Sequence, residues 1–240
     1  MESTYTRTTG QKAAEAFGVI AAIALISLTT WRVASAPLDM TAFIALGVAL
    51  CVGVLLADLF SGLVHWIFDR CGSEETPFFG PNFIRAFRFH HKDPRDITLH
   101  GFLATNGGTS LATLLPLLLL NMMPIGAGHW SVILVVATLV VASVLTILTN
   151  QFHKWAHTKS PPALVVWMQN RGIILDRDHH AVHHVWPHES HFCITTGWLN
   201  PLMGCIQFWS RSEALAKRCG IPMYFDEASH AAAPSAAPAE

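Results

Sequence analysis

Apolar residues in this chain gather into long unbroken runs instead of alternating with polar ones. Four runs, at about 16–31, 40–57, 109–127 and 130–151, contain no Asp, Glu, Lys or Arg. A helix that crosses a bilayer needs about 20 such residues and can manage with about 17, so each run predicts a membrane span. The first is short enough to resemble a secretion signal. It lacks a clear small-residue cleavage site, however, and a second run follows closely, so it reads as a retained helix. Pro37 breaks the chain between the first two runs and Pro124–Gly128 between the last two, which makes two hairpins. Helical character continues past the second run through 58–68, carrying that helix beyond the membrane surface. Gly72, Pro77, Gly80, Pro81 and Pro94 punctuate residues 70–108, which read as irregular. Pro161 and Pro162 open a short helix to about Leu175, with Trp167 suited to the membrane interface. The uncharged stretch 192–209, interrupted by Gly197, Pro201 and Gly204, reads as re-entrant or interfacial, not as a fifth span.

The expected fold class is an all-α membrane protein: four transmembrane helices in two hairpins beneath a histidine-rich metal-binding cap. The expected organisation is a flexible polar tail over 1–12, one unit over 13–215, and a low-complexity tail over 216–240 rich in Ala and Pro near its end. Composition agrees, with 52% apolar and only 13% charged residues, about half the charge of an average soluble protein. A net charge of −1 offers no basic surface for nucleic acid. All but Arg32 of the 15 Lys and Arg fall on the side that holds the N-terminus, the 58–108 segment and everything after Gln151. The positive-inside rule places that side in the cytoplasm. The five cysteines form no Cys-x-x-Cys pair, which argues against a zinc knuckle or a disulfide framework.

Histidine changes the picture most. Of the 14 histidines, all but His129 and His230 fall between His65 and His191 on that one side. His153 and His157, in HKWAH, stand at i,i+4 and project from one helical face. His180 and His184, in HHAVHH, repeat that spacing, with His183 beside them. His65 follows Asp58 by two helical turns and precedes Asp69 by one, so the three share a stripe on which a carboxylate can accept the free N–H of a ligating imidazole. His129, beside Trp130, reads as an interfacial polar side chain; His188, His191 and His230 read as ordinary surface histidines.

The imidazoles of His65, His90, His91, His100, His153, His157, His180, His183 and His184 exceed what one zinc takes, which is four ligands or three plus water. They suit two metals. Imidazole serves iron, copper, zinc and nickel alike, so ligand type alone does not choose between them. A zinc protease helix is disfavoured, because its motif needs Glu where this chain has Lys154. The soluble di-iron kind needs a pair of Glu-x-x-His helices, and this chain has a single such spacing, Glu227–His230, at the edge of its low-complexity tail. Histidine-held iron at a membrane face points to oxygen chemistry on a lipid, since removing hydrogen from an unactivated C–H bond is beyond any side-chain acid or base. A histidine-rich metal transporter would need polar ligands inside the spans, and the four runs hold no charged residue.

The segments DLFSGLVHW (58–66), FIRAFRFHHKDPRDITLHGFLATNG (83–107), TNQFHKWAH (149–157) and HHAVHHVWPHESHFCITTGWLN (179–200) resemble the Kua-type lipid desaturases, in particular the members that act on plasmanylethanolamine. The likeness covers about residues 45–210. It implies a di-iron, O2-dependent desaturase that converts the 1-O-alkyl chain of an ether phospholipid to the 1-O-alk-1′-enyl form of a plasmalogen. A phospholipid acyl-chain desaturase or hydroxylase is the alternative, because the wider family includes a plant enzyme acting on palmitate. The family's two histidine boxes match His153–His157 and His180–His184. Its other motif histidines match His65, His90, His91 and His100, and its carboxylates match Asp58 and, less closely, Asp69. The resemblance further implies two iron ions, O2 as co-substrate, a membrane ether phospholipid substrate, and an external electron donor of the cytochrome b5 or ferredoxin type. It implies no catalytic residue beyond the metal ligands. Residues 70–80 match loosely and are a candidate for head-group selection. His179 is a fourth histidine where three would complete the box, which suits a supporting position behind the ligands. The Ala- and Pro-rich tail hints at a bacterial inner membrane.

Overall fold

The computed structural model describes residues 7–224. Its long helices are α1 (Thr9–Ala34), α2 (Met40–Arg70), α4 (Phe102–Asn121) and α5 (Trp130–His157), each long and apolar enough to cross a membrane. Short helices cover one end: α3 (Arg85–Lys92), α6 (Ala163–Asn170), α7 (Arg177–His183), α8 (Asn200–Cys205) and α9 (Phe208–Arg218). Among the described residues no strand forms beyond an isolated bridge between Cys71 and Met223. The chain is thus a multi-pass, all-α membrane protein.

The two hairpins interlock. Helix α1 packs chiefly on α4 and α2 chiefly on α5, while α4 also meets α5; the sequence neighbours α1 and α2 scarcely touch. Lipid tails are as apolar as leucine, so spans associate through close backbone approach at small residues and not through hydrophobicity. Ala42, Ala45, Ala49, Gly53 and Ala57 form the buried stripe of α2. A methyl group added to Gly53 would stand 2.8 Å from the Thr138 carbonyl of α5. On the other pair, a methyl on Gly107 would stand 2.8 Å from Glu15 Cα. Large side chains such as Phe17, Ile20, Phe43, Ile44, Leu115 and Leu119 are exposed on the outer faces, where lipid covers them. At the end opposite the cap, the Arg32 guanidinium binds the carbonyls of Asn121 and Met123 and ties α1 to the turn after α4.

Several boundaries differ from the sequence expectation. Helix α1 starts at Thr9, inside the stretch expected to be tail, because Thr8 and Gln11 form a reciprocal capping box. Helix α4 begins at Phe102, well before the apolar run. There the polar residues bond back into the helix: Asn106 Nδ2 donates to Phe102 O (2.9 Å) and Ser110 Oγ to Asn106 O (2.8 Å). Helix α3 also lies within the segment expected to be irregular. The expected C-terminal tail from 216 is helical to Arg218 and described to Tyr224; the rest lies outside the described residues.

At 1.5 Å per residue, the 31 residues of α2 reach about 46 Å and the 28 of α5 about 42 Å. A hydrocarbon core of about 30 Å leaves several turns of each above it. Those turns carry the chemistry.

A paired histidine centre at the cap

Four helices bring nine potential ligands into two adjoining groups. His90, His153, His157, His180 and His184 form the first; His65, Asp69, His91 and His183 form the second. Within each group the donor atoms all lie within 4.8 Å of one another. Helix α5 serves the first group and α2 the second, while α3 and α7 serve both. Successive residues on α3 point to different groups. On α7, at 100° per residue, His180 and His184 lie 40° apart, and His183 lies 60° to the other side of His180. One turn therefore feeds two neighbouring centres. The groups approach closely, with the His91 and His184 rings 5.0 Å apart.

The nitrogens face inward. His157 Nε2 lies 3.3 Å from His153 Nε2 and 2.9 Å from His180 Nε2, and His184 Nε2 lies 3.0 Å from His180 Nε2. Ligands held about 2.1 Å from one ion stand roughly 3.0–3.4 Å apart, depending on the angle between them. In the second group Asp69 Oδ2 lies 3.2, 3.1 and 3.3 Å from Nε2 of His65, His91 and His183. Opposite Nδ1 atoms set two of these tautomers. His65 Nδ1 pairs with Phe192 O (3.2 Å) and His183 Nδ1 with Ser190 O (2.8 Å). A carbonyl only accepts, so Nδ1 carries the hydrogen and Nε2 offers a lone pair.

Both Asp69 oxygens, His90 Nε2, both His91 nitrogens and His183 Nε2 are buried without a hydrogen-bond partner in the protein. Buried polar groups are ordinarily paired, so a cluster of orphaned donors with converging lone pairs fits cations. Burial, reinforced by neighbouring imidazoles, pushes the pKa of His90 and His180 well below the ordinary value of 6.5 and keeps the ligand form neutral.

Other expected site residues stand elsewhere. Asp58 reaches no imidazole. Its Oδ1 accepts from the N–H of Thr196 (2.8 Å) and Gly197 (2.9 Å), and its Oδ2 from Leu199 (3.0 Å), fixing the loop that follows the second histidine segment. His179 Nε2 accepts from Asn200 Nδ2 at 2.7 Å, outside both groups. Gly197, at φ +80°, leaves room for that ring; a Cβ there would stand 2.6 Å from it. His100 Nε2 pairs with Asp96 Oδ2 at 3.0 Å, also outside both groups. His129 sits at the far end, at the start of α5, and His230 lies outside the described residues. Sequence reasoning passed over His188. It is buried, its ring lies 4.2 Å from His91, its Nδ1 pairs with His183 O (3.0 Å), and burial lowers its pKa to about 4. Its i,i+4 spacing from His184 was the available signal, masked by the helix-breaking Pro187.

A cleft of about 220 Å³ opens on the first group, lined by Phe87, Phe89, His90, Ile97, His153 and Ile194. A cavity of about 350 Å³ lies behind Trp66 and Phe192 and contains none of the grouped ligands; the smaller cleft is the one that touches the chemistry.

Spans and site together define a multi-pass membrane protein with a paired, histidine-rich cluster, able to hold metal, at the cap end of its long helices. The lipid desaturase domain family matches residues 54–221, and the chain belongs to it. It is 44% identical to mouse plasmanylethanolamine desaturase 1 over 191 residues, covering 74% of this chain and 66% of that protein. It is 40% identical to the plasmanylethanolamine desaturase of Myxococcus xanthus over 168 residues, covering 70% of this chain and 59% of that one. Fatty acid desaturase 4, chloroplastic, of Arabidopsis thaliana is 40% identical over 158 residues, 62% of this chain and 45% of its own. The chain thus spans slightly under two thirds of the mouse protein and less of the others. No solved structure matches it.

Proposed function

We propose that the chain is a di-iron, O2-dependent desaturase that converts the 1-O-alkyl chain of plasmanylethanolamine to the vinyl ether of a plasmalogen. The observation that carries the reading is the pair of adjoining groups, five histidines beside three histidines and Asp69, at the mouth of a lipid-facing bundle. The printed names of the mouse and Myxococcus relatives support the substrate.

Iron held by these two groups would supply, with O2 and external electrons, an oxidant able to take hydrogen from an unactivated C–H bond. The residues of this chain provide the rest. His65 and His183, turned by Phe192 O and Ser190 O, present Nε2 inward. Asp69 contributes the negative charge of its group. Asp58 holds the 196–199 loop beneath α7. Phe87, Phe89, Ile97 and Ile194 give the cleft an apolar side along which an alkyl chain can reach the first group, while Asp93, Asp96 and Asn150 line its polar side. Leaving lipid for water would cost about 0.8 kcal/mol per CH2, so a continuous apolar path is required. On this reading the cap faces the cytoplasm of a bacterial inner membrane, where a cytochrome b5-like or ferredoxin-like donor supplies electrons. An acyl chain is the second candidate substrate, favoured by the chloroplast relative at the same 40% identity as the Myxococcus protein.

The test is lipid analysis of a plasmalogen-free host fed a 1-O-alkylglycerol. Acid-labile vinyl ethers from the wild-type chain but not from His153→Ala are the expected result. If neither chain makes vinyl ethers while wild-type protein still binds two irons, the ether substrate is refuted and new acyl double bonds become the next readout.

A further inference from the structure

Between α2 and α3 the chain exposes a row of aromatic rings that the site does not use. Phe78, Phe79 and Phe83 are 66%, 50% and 38% exposed. The rings form one cluster with Phe68 of α2: Phe83 stacks on it at 5.2 Å, Phe79 lies tilted 6.4 Å from it, and Phe78 stands edge-on 5.3 Å from Phe79. The segment is built to present them. Phe78 is held at φ +66°, where a bulky side chain is strained. Gly80 lies so close to the Glu74 carbonyl that an added Cβ would stand 2.2 Å from its oxygen. Thr76 Oγ1 accepts from Ser73 N at 2.9 Å, and Arg85 pairs with Glu74 at 3.3 Å. Such a patch, exposed to water, would be a liability.

Its neighbours say what covers it. Leu56, Phe60 and Ile67 are exposed along one stripe of α2 and carry the lipid-facing surface up beside Phe68. The same turns bury Asp58, Ser61, His65 and Asp69 on the opposite face. On the inner side Phe68 touches Phe87 at 5.2 Å, and Phe87 lies 5.6 Å from the His65 ring and lines the cleft at His90. We infer that Phe78, Phe79 and Phe83 form a ledge seated in the bilayer interface, over which a lipid chain passes from the membrane along Phe68 and Phe87 into the cleft. The passage of a substrate chain rests on the desaturase reading; the seating of the ledge in lipid does not.

Two readouts separate these. In full-length protein with Cys51, Cys205 and Cys219 replaced by serine, a nitroxide is placed at Phe79→Cys or Phe83→Cys, with exposed Lys159→Cys as the aqueous control. The protein is reconstituted in phosphatidylethanolamine–phosphatidylglycerol nanodiscs. Both ledge labels are expected to collide more with O2 than with a water-soluble nickel chelate, and the control to do the reverse. Nickel-dominated collisions at both ledge positions would overturn the ledge. With Phe78→Ser/Phe79→Ser at wild-type iron content, the KM for alkyl lipid, as mole fraction in the disc, should rise severalfold with kcat unchanged. An unchanged KM would overturn passage over the ledge. If the wild-type chain desaturates neither an alkyl nor an acyl lipid, the desaturase reading fails while the collision data still decide the ledge.

Discussion

Replacing Asp69 by asparagine keeps the shape of the side chain and removes its charge, and the structure sets opposite signs for its effects with and without metal. Without metal, a fully buried carboxylate faces the Nε2 lone pairs of His65 and His183 at 3.2 and 3.3 Å, and only His91 is free to offer it an N–H. A buried polar group without its partners costs about 1–3 kcal/mol, more when charged. Asp69→Asn should therefore stabilise the metal-free protein by about 2 kcal/mol, or roughly 4–8 °C in Tm for a chain of this size. With metal, the same change removes the only anionic ligand of its group, a larger loss than the roughly 10–100-fold in affinity typical of outer-shell partners. Thermal melts of detergent-solubilised protein, stripped and iron-loaded, together with iron stoichiometry, read both signs at once. The expected variant binds about one iron instead of two, melts higher when stripped and lower when loaded. Two irons at wild-type affinity would refute Asp69 as a ligand. A lower Tm in the stripped form would show that the histidines already satisfy the carboxylate.

Three further outcomes follow from the geometry. His157→Ala should lose iron from the first group, whereas His100→Asn, changed at a residue outside both groups, should retain two irons by metal analysis. Asp58→Asn weakens three charge-assisted hydrogen bonds to the 196–199 loop and should cost about 2–3 kcal/mol. That loss would appear as a lower Tm and faster proteolysis after α7, with Asp58→Ala worse. Burial holds His90 and His180 below their unfolded pKa of 6.5, so below that pH the unfolded chain takes up protons that the native state refuses. Metal-free protein should lose stability as pH falls from about 6.5, at up to about 1.4 kcal/mol per pH unit for each such histidine; a Tm flat between pH 7 and 5 would refute their buried neutrality.

What could be read from the chain depended on the scale of the signal. The spans were legible because a run free of charge has one stable place, and the i,i+4 histidines because helical spacing fixes a common face before any tertiary contact is known. The sharing of His90 and His91 between two groups was not legible, because it rests on α3, a helix of eight residues hidden among Gly and Pro. The early start of α4 was hidden because Thr105, Asn106 and Ser110 look like loop residues until their side chains are seen bonded one turn back. Asp58 was placed on the right stripe and given the wrong partner. Spacing along α2 shows which face a carboxylate takes, but the loop that folds onto that face comes some 140 residues later, beyond the reach of any local pattern.

The way the groups draw on the chain also has a consequence for biosynthesis. The first needs α3, α5 and α7, the second needs α2, α3 and α7, and α7 ends at His183. No nascent chain can complete the second group before His183 or the first before His184, by which time all four spans have been made. The interlocked hairpins impose the same order, since α1 and α2 each wait for a partner from the second hairpin. A half-made chain therefore offers only partial sites, and on the proposed reading iron would first be held in a protein whose four spans are already complete.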